Sequence, residues 1–128
     1  MFLPTRCAGC NEPGVDLCRR CRFSLAASAA TVGDAGVPAA MPFDGVARQV
    51  LLGLKYANRR RVVGRLAELM VQRLGLDRVQ IDVVTWAPTS RQRARERGFD
   101  QAELLARSVA RHLGVPSRRL LHLSLIHI

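Results

Sequence analysis

The sequence predicts an α/β fold carrying a small four-cysteine module at its N-terminus. Three observations lead there. All four cysteines fall in two Cys-x-x-Cys pairs within the first 21 residues. A near-continuous apolar run over 81–86 has the length and composition of a buried parallel strand. Helically spaced apolar residues lie on both sides of that run, which gives the helix–strand–loop–helix order of an α/β chain.

The module occupies residues 1–24. Cys7 and Cys10 are separated by two residues, as are Cys18 and Cys21, and seven residues join the pairs. Two such turns can bring four sulfurs to the corners of one tetrahedron. Two disulfides, a redox pair or four structural thiols are the alternatives. No secretion signal accompanies the cysteines, which disfavours disulfides, and a redox site needs only one pair. Structural zinc on Cys7, Cys10, Cys18 and Cys21 is the reading we carry forward. Four thiolates leave no open coordination position, so zinc catalysis is not expected. Gly9 and Gly14 ease the tight backbone. So short a loop has almost no apolar core, so metal binding is expected to supply most of its folding energy.

Residues 25–42 read as a linker, with a short extended segment near 37–43. Asp44 can cap a helix over 45–56, whose apolar positions are Val46, Val50, Leu51 and Leu54 and whose end carries Lys55. A basic turn over 58–61 precedes a second helix over 62–74. That helix buries Val62, Leu66, Leu69, Met70 and Leu74, with Gly75 as its C-cap. Pro88 stops the 81–86 strand, because proline cannot donate to a ladder. An arginine-dense loop follows, bearing Arg91, Arg93, Arg95 and Arg97. The last helix, over 98–113, presents Ala102, Leu105, Ala106, Val109 and Leu113 on one face and ends at Gly114-Val115-Pro116. Residues 43–122 thus read as a partial α/β domain, and 123–128 as a tail that need not be native. One strand cannot make a sheet, so the chain is expected to be a fragment or to pair with something else.

The 128 residues fit one modest domain, or a small module joined to part of a larger one. An apolar share of 48% excludes wholesale disorder. Net charge is +10, and Lys55 is the only lysine among 20 basic residues. Genomic base composition explains an arginine bias as readily as attraction to polyanions does, so charge alone does not choose. Residues 1–4 are too short for a signal-peptide core, and the alanine run near 26–30 falls far short of the roughly 20 residues that span a bilayer. The expectation is a cytoplasmic protein with reduced thiols and no membrane insertion. Where the arginine segment meets the last helix, guanidinium forks adjoin a helix N-terminus, an arrangement suited to a phosphate-bearing ligand. Trp86 reads as core. His112, His122 and His127 show no ligand spacing with the cysteines.

Three ordered blocks resemble the ComF family of competence-protein-F, amidophosphoribosyltransferase-like proteins. They are the cysteine quartet; Phe43-Asp44-Gly45 with Leu54-Lys55-Tyr56; and Pro88, Arg91 and the run from Arg97-Gly98-Phe99-Asp100-Gln101-Ala102 to Ala106. The resemblance spans about residues 5–116. It implies a zinc module followed by the first part of a type I phosphoribosyltransferase-like domain, a glycosyltransferase fold. By the same resemblance, Lys55, Arg91, Arg97, Gly98 and Gln101 would approach phosphate or pyrophosphate, and the protein would be linked to competence and DNA uptake. Its full-length partners would be phosphoribosyl pyrophosphate or another phosphate ligand, single-stranded DNA and competence-machinery proteins. Mg²⁺ is implied only for the full-length enzyme. Three departures stand out. Trp86-Ala87-Pro88 stands where the family has Val-Pro before its basic loop. Asp100 replaces the family's Asn, placing a carboxylate where an anion would sit. The acidic pair followed by Thr-Thr-Gly that opens the family's phosphate loop does not occur in these 128 residues, so they are expected to be inactive in transfer. The alternative reading is a non-catalytic, zinc-containing adaptor for single-stranded nucleic acid. A third is a structural protein-interaction module.

Overall fold

A computed structural model describes residues 5–28, 30–33, 35–54, 59–97 and 99–122, apart from the side chains of Arg59 and Arg97. Within residues 5–14 the chain folds back on itself. Cys7 N donates to Glu12 O at 2.8 Å, Gly14 N donates to Thr5 O at 2.8 Å, and Arg6 lies opposite Pro13. The reversal needs left-handed backbone at Asn11 (φ 67°) and Gly14 (φ 107°), residue types that tolerate it. Helix α1 (Arg19–Ala27) then starts at Cys18, whose sulfur accepts from the Cys21 amide as the cap.

The segment read as a linker holds the end of α1 and an antiparallel pair, β1 (Thr31–Val32) with β2 (Pro38–Ala39). Helix α2 (Gly45–Leu52) follows Asp44, which caps through backbone position without a side-chain bond. It ends at Leu52, four residues before the expected 56, with Gly53 as its C-cap. Lys55, expected at its end, lies outside the described residues. Helix α3 (Arg59–Leu74) starts three residues earlier than its apolar pattern suggested and closes, as expected, on a left-handed Gly75 (φ 61°). A single 3-10 turn, Leu76–Arg78, follows.

Three expectations are corrected. The run 81–86 is no continuous strand: it makes one parallel bridge, Val84 with Ser117, through Val84 N to Pro116 O and Arg118 N to Val84 O, each 3.0 Å. Pro116 has no N–H to give, so the pairing cannot extend through it. The arginine segment is not a loop but helix α4 (Arg91–Arg97). Arginine is a good helix former, and the Ser90 hydroxyl accepts from Arg93 N at 3.2 Å as a cap. Helix α5 (Gln101–Leu113) begins three residues later than expected because Asp100 caps it. It ends as expected, on a left-handed Gly114 (φ 69°). The described fold is thus mixed helix with a two-stranded antiparallel sheet and a four-cysteine cluster.

The cysteine loops do not lack a core. Cys7, Leu17, Cys21 and Leu25 pack in one cluster with Ala47 and Val50 of α2 and Val62, Val63 and Leu66 of α3. Leu17, Leu25, Val50 and Val62 are the largest fully buried side chains, and burial of each contributes about 1.5–3 kcal/mol. Metal is therefore not the sole source of stability for the N-terminal segment. A second cluster joins Ala67 and Val71 of α3 to Val109 of α5, with Val84 against it.

Arg73 couples the two regions. From the last turn of α3 its guanidinium donates to the carbonyls of Leu25 (2.8 Å), Ala26 and Ser28 at the end of α1, and to Ala40 O beyond β2 (3.2 Å). A cation there satisfies orphan carbonyls and opposes the negative pole of α1. Replacing Arg73 with Met keeps the stem and removes the fork. It is expected to lower stability by about 1.5–3 kcal/mol, the scale of charged hydrogen bonds, in urea unfolding.

Candidate metal centre

The folded-back loop and the first turn of α1 bring Cys7, Cys10, Cys18 and Cys21 together, with all four sulfurs within 4.8 Å of one another. Cys7, Cys18 and Cys21 are buried and Cys10 lies at the exposed edge. All four are free thiols. Cys10 Sγ and Cys18 Sγ are 3.6 Å apart, far beyond the roughly 2.05 Å of a disulfide bond. A tetrahedral ion with metal–sulfur bonds of about 2.3 Å sets its sulfurs about 3.8 Å apart, so the spacing suits such an ion. The sequence-predicted ligand quartet is assembled as a unit able to hold a metal.

The surrounding amides favour thiolates. Gly9 N and Cys18 N both donate to Cys7 Sγ at 3.3 Å, and Cys21 N donates to Cys18 Sγ at 3.4 Å. Burial pushes the Cys7 thiol up, but N–H donors from Cys18, Cys10 and Gly9 outweigh it and bring its pKa from 9.0 down to about 6. Cys10 is also lowered, first by the Glu12 amide and then by the Arg20 side chain. Arg20 is raised in turn by its hydrogen bond to Cys10. Cys21 moves the other way: burial raises it, and its three neighbouring cysteines add to the shift. Four thiolates cannot share so small a volume without a cation, and a divalent ion resolves this conflict.

Gly9 is required by packing. A Cβ there would lie 2.7 Å from Cys21 Sγ and 3.2 Å from Cys21 Cβ. Gly9→Ala must therefore displace a ligand. It is expected to weaken metal affinity about 10- to 100-fold, the scale for groups that orient ligands, as measured by competition with a chelator.

Of the residues expected to meet phosphate, Arg91 and Gln101 are the ones whose side chains the structure describes. Lys55, Gly98 and the Arg97 side chain lie outside the described residues. Arg91 is exposed on the first turn of α4. Gln101 opens α5 and donates from Nε2 to Leu51 O at 2.6 Å, tying α5 to α2. Neither the cleft between α3 and α5 nor the one between the cysteine loop and α2 is lined by Arg91 or Gln101. At the start of α5, Asp100 Oδ1 accepts from Ala102 N (3.0 Å) and Glu103 N (3.3 Å), while Oδ2 accepts from Thr89 N (3.1 Å). The chain's own carboxylate thus holds the amides that a helix-start anion site would use. Trp86 is core, as expected, and Arg107 lies 5.4 Å over its ring.

Sequence reasoning missed Arg73 and the double role of Asp100. A basic residue in a helix's last turn was visible at Arg73, but its target is another helix, 45–48 residues away. Among the described residues no helix is long and apolar enough to cross a membrane. No protein-family model, curated protein or solved structure matches this chain.

Proposed function

We propose that Cys7, Cys10, Cys18 and Cys21 hold one structural zinc ion in a cytoplasmic, ComF-type phosphoribosyltransferase-like protein linked to competence and DNA uptake. The four-sulfur cluster carries this reading. Zinc supplies a closed tetrahedral crosslink there, and the thiolate set suits it. The ComF-type part draws support from the order of the three sequence blocks and from how they meet. The cysteine loop packs on α2, which begins at Gly45 of the Phe43-Asp44-Gly45 block, and Gln101 of the third block is tied to Leu51 of α2. Lys55, Arg91, Arg97, Gly98 and Gln101 are the residues proposed to approach phosphate. Any transfer, with Mg²⁺ and phosphoribosyl pyrophosphate, belongs to a longer product bearing the acidic phosphate loop. The test is titration of the complete native gene product with phosphoribosyl pyrophosphate and with pyrophosphate, following backbone amides 91–101. Saturable shifts are expected there, and unmoved signals would defeat the assignment.

One observation favours a second reading. Arg91, Arg93 and Arg95 are all exposed on α4, as a non-catalytic adaptor gripping single-stranded nucleic acid would require. Such binding falls steeply with salt, as released counterions dictate. Absence of oligonucleotide binding at moderate salt rejects the adaptor.

A further inference from the structure

Arg60 of α3 and Arg111 of α5 line one cleft, of about 540 Å³, together with Gly64, Ser108 and His112. The helices that carry them form the most extensive contact between elements in the described fold. Gly64 opens the α3 wall, since a Cβ there would meet nothing within 4 Å. His112 Nε2 lies 3.2 Å from Gly64 O. A carbonyl only accepts, so Nε2 carries the hydrogen and pins α5 to α3 at the cleft. Ser108 is the only buried polar residue among those described, and it lines the cleft from α5, three residues before Arg111.

The charge here is one-sided. No carboxylate lines the cleft among the described residues. The described ion pairs involve Arg61 and Arg107, not Arg60 or Arg111. Arg60 and Arg111 are both exposed on the cleft rim, and two cations lining one cleft raise its attraction for an anion. Guanidinium forks and a hydroxyl match the oxygens of a phosphate group. The volume falls within the roughly 300–1,000 Å³ of small-molecule sites and exceeds what a lone phosphate needs.

We propose that the α3–α5 cleft is a binding site for a phosphomonoester of about mononucleotide size, its phosphate held by Arg60, Arg111 and Ser108. This site is separate from α4 and does not rest on the ComF-type reading. The test is titration of the metal-loaded chain with inorganic phosphate and with adenosine monophosphate at constant ionic strength, following amide signals and fluorescence. Both ligands should give saturable shifts confined to residues 60–64 and 107–112. Tryptophan emission should change, because Arg107, one turn before Arg111, covers the only tryptophan. Arg60→Gln with Arg111→Gln should weaken binding at least about tenfold, the scale of charged hydrogen bonds. Ser108→Ala, which suits a buried helix position, should weaken it about threefold. The charge-matched control Arg78→Gln with Arg118→Gln should bind like the parent. Equal weakening in both double variants would reduce the effect to net charge and overturn the site. Equally tight binding of an oligothymidylate without a terminal phosphate would overturn the phosphomonoester assignment. Non-saturating or scattered shifts would overturn both.

Discussion

Replacing Cys18 with alanine is expected to abolish tight metal binding and to produce the largest stability loss of any single substitution in the N-terminal segment. Cys18 has three roles, and two of them end together. Cys18 is one of the four clustered sulfurs, its Sγ caps α1 by accepting from Cys21 N, and its amide donates to Cys7 Sγ. Only the first two depend on the side chain, and they separate by experiment. Cys18→Ser restores a good cap but not a thiolate, so it should recover about 1 kcal/mol relative to alanine. The larger loss common to both variants reports the metal. Structural zinc contributes about 10–16 kcal/mol in isolated finger peptides. The loss here should be well below that, because Leu17 and Leu25 remain packed against α2 and α3. Chelation of the parent protein should bring its thermal midpoint close to that of Cys18→Ser.

The metal-free chain should then show a pH dependence of definite sign. The Cys7 pKa lies at about 6 in the folded state against 9.0 ordinarily. A folded-state pKa below the unfolded value means the thiolate's stabilisation is complete above pH 9.0 and is lost as pH falls through about 6. Cys21 is shifted upward, so its contribution is complete below its ordinary pKa and fades only on the alkaline side. Acidification from pH 9 towards 6 should therefore destabilise the metal-free protein through Cys7, as measured by urea unfolding across that range.

Gly53→Ala is expected to be the second severe substitution, against the prediction of helix propensity. Gly53 has φ −91° and ψ 6°, which any residue can adopt, and alanine is favoured over glycine in helices by up to about 1 kcal/mol. Packing reverses the sign. A Cβ at Gly53 would sit 2.5 Å from Ala8 O and 2.9 Å from Gln49 O. Both are backbone atoms, and Ala8 lies in the cysteine loop itself, where its amide is held by Asp16 O at 2.9 Å. The loop must move for the methyl to fit. Overpacking of this kind costs about 1–3 kcal/mol, and we expect the upper end together with weakened metal affinity. Unfolding and chelator competition on the same variant should show the two losses together.

These sites show what a linear reading can and cannot reach. The cysteine quartet was legible because a spacing of two residues is itself a chelate geometry. The ends of α3 and α5 were legible because Gly75 and Gly114 mark left-handed caps locally. The arginine segment was misjudged: high charge suggested a loop, yet arginine is a good helix former, and the Ser90 cap that starts α4 is a one-residue signal. The strand expected at 81–86 was read from composition, but a strand exists only where a partner pairs: Pro116 blocks extension on one side of the Val84–Ser117 bridge, and on the other Leu120 N donates to the Thr85 hydroxyl instead of a ladder carbonyl. Arg73 and Gly53 escaped, and Gly9 was noticed for its backbone rather than its packing, for one common reason. Their importance lies in contacts between segments distant in the chain, which local pattern does not carry.

The central claim is that four thiolates close around one metal ion on a loop packed into the main core. X-ray absorption on the protein purified without chelator, with metal content measured on the same sample, tests it most directly. The account predicts one zinc per chain surrounded by four sulfurs at about 2.3 Å. A metal-free protein with four reactive thiols, or an ion with fewer than four sulfur ligands, would contradict it.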